Sequence, residues 1–272
     1  MMKPQLKQLF PQWVSEKLDR ELIMSNDLDS ILACTLLNKQ FGYKINGYYS
    51  FDLGLGFINP NIGKKHIGVD IALNNKMYCW DNHVTILNSD TAINKNSANL
   101  NTIYKVSAKN KYEYFKKFAG STAMQIWSYY GFEVPEKDNG KMMLLSIDSA
   151  YLGYYRESFR DTWINYMELL GFEELIEFCS RHTEEDFKEF KKLYTENFNF
   201  SDGIVYYSIE SRKFVEECLD MELYIPTEQF LLHTEMKAHQ TTMNNVQNLS
   251  KDTNVFSYAV TGINKIKYTT IN

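Results

Sequence analysis

The sequence lacks the spacings that announce the commonest chemistries. Its four cysteines, at positions 34, 79, 179 and 218, form no Cys-x-x-Cys pair and no other zinc spacing. All four have apolar neighbours, which predicts reduced core thiols in a cytoplasmic protein. There is no Gly-x-Gly-x-x-Gly, no Walker loop and no Gly-x-Ser-x-Gly. Dinucleotide, P-loop and nucleophile-elbow chemistry therefore find no support. No apolar run is long enough to span a bilayer, and the first ten residues lack the apolar stretch of a secretory signal. Positive charge is not in excess: 29 Lys+Arg against 34 Asp+Glu give a formal net charge of −5. That argues against a nonspecific nucleic-acid coat or a membrane-surface binder, but leaves room for a small anionic substrate at a metal-loaded site.

What is present is ordinary globular composition. With 272 residues, 44% hydrophobic and 23% charged, the chain has enough apolar content for one large domain or two modest ones. Aromatic content is high at 15%, which supports substantial cores; some of the tyrosines could instead line a polar pocket or stack on bases.

Periodicity sets the organisation. "ELIM" (21–24) reads as a short buried strand, followed by an amphipathic helix with Leu28, Ile31, Leu32, Leu36 and Leu37 on one side, ending at Gly42. "INGYYSF" (45–51), "HIGVDIAL" (66–73) and "KMYCWDNHV" (76–84) read as further strands, with loops at 54–64 and 86–103. Helices are expected over "KNKYEYFKKFAG" and "STAMQIWSYYG", the second capped by Ser121 and stopped by Gly131. An apolar run, "GKMMLLSIDSA", then leads to Asp148.

The second half changes character. Residues 158–196 are helix-rich, with Thr183 and Asp186 forming an acidic relative of a capping box. A strand at 203–209, a helix over "SRKFVEECLDM" and one or two strands at 254–271 follow. The expected architecture is α/β: a parallel-sheet N-terminal domain over 1–155 with helices on both faces, a helical connector over 156–200 and a smaller α+β part over 201–272.

Acidic residues follow apolar runs repeatedly: Asp27 and Asp29 after the first, Asp70 in the third, Asp81 and His83 after the fourth, Asp148 after the fifth. Singly, such an Asp is more often a helix cap or turn residue, and a lone His more often structural. In an open parallel sheet, however, ligands gather outside the C-terminal strand ends, where residues distant in sequence converge. Several Asp with one His suit Mn²⁺ or Mg²⁺, as one ion or a pair that activates water and clamps a phosphate oxygen.

The order of these motifs resembles the DHH phosphoesterase superfamily, which includes RecJ-type exonucleases, nano-RNases and family II inorganic pyrophosphatases. "SNDLDSILA" corresponds to the first motif, "GVDIA" to the second and "WDNHV" to the name-giving third. "GSTAMQIWSYYG" followed by "LLSIDSAYLG" corresponds to the fourth. The resemblance spans about residues 20 to 155. It departs from the family at Asn82, which stands where a His is usual, at Ile23, where many members carry another His, and in the absence of a glycine-rich substrate loop near the C-terminus.

The resemblance implies a metal-dependent phosphodiesterase or phosphatase acting on a small phosphorylated substrate or short oligonucleotide. Metal ligands would be Asp27, Asp29, Asp70, His83 and Asp148, with Asp81 in the catalytic set. Asn82, Arg156 and Lys265 are candidates for substrate contact. The bland alternatives are that Arg156 and Arg160 pair with Glu157 or Asp161, and that Lys265 and Lys267 are solvated strand residues. A homodimer is compatible with this reading. The alternative function is a DHH-fold protein that binds a nucleotide or a protein partner without hydrolysis.

Overall fold

In the computed structural model, residues 1–60, 63–74, 76–245 and 249–271 are described. After a short helix α1 (Pro4–Lys7), the chain enters β1 (Arg20–Met24), α2 (Leu28–Phe41), β2 (Ile45–Ser50) and β3 (Gly54–Phe57). It continues through β4 (Lys65–Val69), β5 (Tyr78–Trp80) and β6 (Ser97–Ala98). The short helices α3 (Leu100–Ile103) and α4 (Lys111–Tyr114) lead to α5 (Thr122–Tyr130) and α6 (Asp138–Ser146).

A helical layer follows: α7 (Leu152–Tyr155), α8 (Glu157–Leu170), α9 (Glu173–Ser180) and α10 (Glu184–Phe190). The hairpin β7 (Asn199–Ser201) and β8 (Ile204–Tyr206), then α11 (Ile209–Leu219), precede β9 (Leu231–Thr234). Strands β10 (Met236–Thr241), β11 (Val255–Gly262) and β12 (Lys265–Ile271) complete the fold.

The expected α/β class holds. Seven strands form one sheet in the order β6-β5-β4-β1-β2-β3-β9. Pairing is parallel from β6 to β2, while β3 and β9 add antiparallel at one edge. Strands β10, β12 and β11 make a separate antiparallel sheet.

Alternation along β1 divides the core. Leu22 and Met24 point into the main cluster with α2 and α5, while Ile23 joins Tyr49, Cys79, Met236 and Phe256 on the opposite face. The cover of that second face thus includes the C-terminal strands. The β10–β12 sheet is attached through β11, where Tyr258 N–H donates to Ala72 O at 3.1 Å and Val260 N–H to Val84 O at 3.0 Å.

Several local expectations need correction. Helix α2 is not one-sided: every residue from Leu28 to Leu37 is buried, because α5 and the chain around Tyr224 cover the side away from the sheet. The segment 86–103 is not one loop but contains β6 and α3, and the segment 54–64 contains β3, with 61 and 62 outside the described residues. The apolar run before Asp148 is α6, a helix. The helix expected over 109–120 is reduced to α4, which Asn110 caps through Glu113 N–H. Strands β9 and β10 were not anticipated, since their exposed residues alternate too weakly to signal a buried face. All four cysteines are free and buried, as their neighbours suggested.

Candidate metal centre

The chain builds β2 and β3 on one side of β1 and then returns to build β4 to β6 on the other. That reversal opens a crevice at the C-terminal ends of β1 and β4, the place where a parallel sheet exposes loops to a ligand. Asp27 and Asp29 leave β1 there, Asp70 leaves β4, and Asp81 and His83 leave β5.

The carboxylates after β1 serve as caps as well as facing the crevice. Asp27 Oδ1 accepts the Ser30 N–H at 3.0 Å and so caps its own helix. Asp29 caps a different one: its two oxygens accept the N–H groups of Thr122 at 2.8 Å and Ala123 at 2.7 Å, at the start of α5. Ser121 Oγ takes the next donor, Met124 N–H, as its sequence position predicted. Ser30, buried, donates to Val69 O and accepts from Ser25 N–H, each at 2.8 Å, which stitches the ends of β1 and β4 together.

Asp70 and Asp148 both sit on left-handed backbone, with φ of 59° and 53°. Such a conformation strains most side chains, though Asp tolerates it better than others. Asp70 Oδ1 accepts the Thr122 hydroxyl at 2.9 Å and Oδ2 the Ser25 hydroxyl at 3.3 Å. Asp148 follows α6 and is exposed; Lys191 secures its turn, donating to Ser146 O and to Ser149 Oγ at 2.7 Å.

Asp29, Asp70 and Asp148 each present an oxygen, all within 4.8 Å of one another. At that spacing each ionised pair repels by about 3 kcal/mol at an effective dielectric of about 20. Among the described residues no Lys or Arg forms an ion pair with Asp27, Asp29, Asp70 or Asp148. Burial, reinforced by the neighbouring carboxylates, raises the pKa of Asp27 and Asp29 well above the usual carboxylate range. Asp70 is pushed up to about 7, by burial first and by Asp148 and Asp81, against the opposing charge of His83.

The loop after β5 joins Asp70 in a second group, Asp70, Asp81 and His83, again within 4.8 Å. Fully buried Asp81 accepts from His83 Nδ1 at 2.7 Å through Oδ1 and from Asn99 Nδ2 at 2.9 Å through Oδ2. Asn99 also donates to His83 O at 2.8 Å, and Gln125 to Asp81 O at 2.9 Å. Asp81 therefore fixes the ring and its tautomer, leaving Nε2 as the nitrogen available to a ligand. Burial works against charge on His83, but Asp81, Asp70 and Asp148 outweigh it and raise its pKa to about 10.

Asn82 is spent internally: its amide donates to Gly120 O at 2.6 Å and to Asp148 Oδ2 at 3.0 Å. It ties Asp148 to the β5 loop. Asp27 stands outside both three-residue groups but lines the same 110 Å³ cavity as Asp70, His83 and Asp148. Strand β11 contributes Ser257 and Ala259 to its wall. A larger, 460 Å³ groove adjoins it, sharing His83, Asp148 and Thr261.

The substrate candidates scatter. Arg156 lines the groove, but its fork is closed on Glu184, at 3.1 and 2.9 Å, not on Glu157 or Asp161. Arg160 donates to Tyr154 O at 2.6 Å. Lys265 lies at the β11–β12 turn opposite Gly262, whereas the Lys267 ammonium is 6.0 Å from the ring of Phe51, a cavity residue.

Thr122, Asn99, Gln125 and Lys191 escaped sequence reasoning. A trace of signal existed for one: "SANLN" places polar amides between residues with an apolar setting, and Asn99 and Asn101 are both buried.

The donors suit a hard divalent cation. Carboxylate oxygens dominate, one imidazole is present, and the mutual repulsion of the carboxylates is opposed by His83 but by no Lys or Arg ion pair among the described residues. The two acidic groups could hold a metal ion. No helix among the described residues is long and apolar enough to cross a membrane. No family model, curated protein or solved structure matches this chain.

Proposed function

We propose that the chain is a metal-dependent phosphoesterase of the DHH kind, acting on a small nucleotide or short oligonucleotide with Mn²⁺ or Mg²⁺. One observation carries this reading: three carboxylates from three separate segments approach within 4.8 Å beside a histidine held by a buried aspartate. Asp29, Asp70, Asp148 and His83 Nε2 would hold the metal, and Asp27 stands ready at the same cavity for a second ion. When bound, the metal supplies Lewis-acid polarisation of a phosphoryl oxygen and lowers the pKa of a nearby water.

The remaining work belongs to the chain. The Thr122 and Ser25 hydroxyls orient Asp70, and Asn82 orients Asp148. Asp81 holds the Nδ1 proton of His83, so Nε2 is the nitrogen that would give up its proton to the incoming ion. The adjoining groove offers room for the rest of the substrate. The acidic balance of the whole chain favours short substrates over long nucleic acid.

The test is hydrolysis, with Mn²⁺, of a panel of short diesters, dinucleotides, cyclic dinucleotides and pyrophosphate, beside an Asp29→Asn/Asp70→Asn variant. Turnover by the wild type alone is expected; equal activity in both proteins, or none in either, overturns the reading. A second reading, nucleotide binding without hydrolysis, is favoured by Asn82, whose amide is committed to Gly120 and Asp148 where the family carries a histidine. Mn²⁺-dependent nucleotide binding without turnover would select it.

A further inference from the structure

The groove beside the acidic cavity contains a feature that metal binding does not require. Lys117 is half-buried there, and its ammonium donates to the Tyr114 hydroxyl at 3.2 Å. It lies 4.9 Å from the centroid of the Tyr114 ring and 5.9 Å from that of Phe159. Among the described residues it pairs with no carboxylate; its neighbour Lys116 takes Glu113. An ammonium has three donors, and one phenol oxygen accepts only one of them. Arg156, which also lines the groove, is already paired with Glu184, and His83 with Asp81. In an acidic chain, an uncommitted half-buried cation beside an acidic cavity is an unusual allocation of charge.

The surrounding surface is aromatic and braced. Phe159 meets Phe115 edge-on with centroids 5.0 Å apart and Tyr114 at 6.4 Å, and buried Phe118 backs the same groove. Edge-on packing of this kind holds Phe159 in place and leaves ring surface for a flat ligand to stack on. The groove volume, 460 Å³, suits a molecule of nucleotide size. Because the groove shares His83 and Asp148 with the cavity, a ligand lying in it can reach the metal residues.

We infer that this groove is the subsite for one side of the substrate: a flat ring carrying a second anionic group, which Lys117 recognises. The inference deepens the phosphoesterase reading and rests on it for the word substrate, but the binding site itself stands on the groove. Lys117 would set specificity by attraction at the far end of the molecule, while the ring packs on half-buried Phe159, which buried Tyr114 backs.

The test has a kinetic and a binding arm. For turnover, compare a dinucleoside monophosphate with the same compound carrying a terminal phosphate at either end. The wild type should prefer one phosphorylated form by about tenfold in kcat/KM, the size of one charged contact. Lys117→Met should abolish the preference mainly through KM, and Lys117→Arg should restore part of it. For binding, titrate adenosine 5′-monophosphate and adenosine calorimetrically into both proteins, with Tm recorded to show that Lys117→Met remains folded.

Loss of discrimination between the two ligands in Lys117→Met supports the subsite even if no substrate is turned over, and then only the phosphoesterase reading falls. Turnover with discrimination unchanged in Lys117→Met overturns the subsite alone. Absence of both turnover and binding overturns both.

Discussion

Two acidic regions of this chain deal with charge in opposite ways. Around α10 every need is met locally. Thr183 N–H donates to Asp186 Oδ2 at 2.7 Å and Asp186 N–H to Thr183 Oγ at 3.2 Å, completing a capping box. Lys188 pairs with Glu184 and Glu185, Lys192 with Glu189, and Arg156 reaches across to Glu184. The result is carboxyl pKa values below the usual range: the Lys188 hydrogen bond lowers Glu184, and the Thr183 N–H lowers Asp186.

In the crevice the direction reverses. Asp27, Asp29 and Asp70 are all pushed up, by burial first and then by neighbouring carboxylates, and among the described residues no Lys or Arg pairs with them. Solvated carboxylates with nearby partners are ordinary surface; buried ones that repel each other weaken the fold unless a ligand compensates. That contrast, more than the count of acids, is what marks the crevice as a site.

The hardest blow to the contrast is to remove one repelling charge. Asp70→Asn is expected to lower the proposed phosphoesterase activity by about a hundredfold to a thousandfold, the scale of losing a catalytic electrostatic contact. The same substitution relieves repulsion and should raise the stability of the metal-free protein by about 1 kcal/mol, read from denaturant melts. Loss of activity accompanied by unchanged or lower stability would mean that the Asp70 charge is already compensated in the fold.

Metal addition comes next. Mn²⁺ at about one hundred times its dissociation constant should stabilise the wild type by about 2.7 kcal/mol, a Tm rise of roughly 5 °C or more. A chelator should reverse it, and Asp70→Asn should show little of it. An equal rise in wild type and variant would place the ion elsewhere.

The pH dependence separates the two regions by sign. Asp70, near 7 in the fold against about 3.9 unfolded, binds its proton more tightly when folded. Its contribution is full below about 4 and is lost as pH rises through 7. His83, raised to about 10 from about 6.5, acts in the same sense over the higher window. Metal-free protein should therefore lose Tm from pH 5.5 to 8.5, and saturating Mn²⁺ should offset the loss, since the ion competes with those protons. Glu184 and Asp186 have the opposite sign: their small contribution is present above about 4.5 and is lost on acidification.

The smallest effects belong to the helix. Thr183→Ala should cost about 1 kcal/mol through the lost cap and leave activity unchanged. Lys192→Ala should change neither stability nor activity measurably. An activity loss in either variant would show that the two regions are not independent.

Much of the local architecture was legible before folding. Ser121 capping α5, Gly42 and Gly131 in left-handed conformation at helix ends, and the Thr183–Asp186 box all stand where their residue types predicted. These depend on contacts within four residues, which a linear reading can see. Asp-Leu-Asp was legible as two alternatives, capping or metal; the structure shows the caps, Asp27 on α2 and Asp29 on α5, and sets both residues at the crevice, where Asp29, Asp70 and Asp148 could hold an ion. The role of Asn82 was not legible, because its partners Gly120 and Asp148 lie 38 and 66 residues away. Strand β9 was equally hidden, since its place at the sheet edge is set by pairing with β3.

By itself, then, the sequence determined many of the strands and helices, several of their caps and stops, and the order in which acids follow apolar runs. It did so because propensity, capping and turn chemistry act over a few residues. Only the tertiary structure decided that the acids meet. The Asp29–Thr122 bond spans 93 residues and the Thr122–Asp70 bond 52, and both exist only because parallel pairing of β1, β4 and β5 brings their C-terminal ends side by side. Coulomb repulsion falls off with distance in space and takes no account of distance along the chain, so the raised pKa values that mark the site appear only once the sheet has formed.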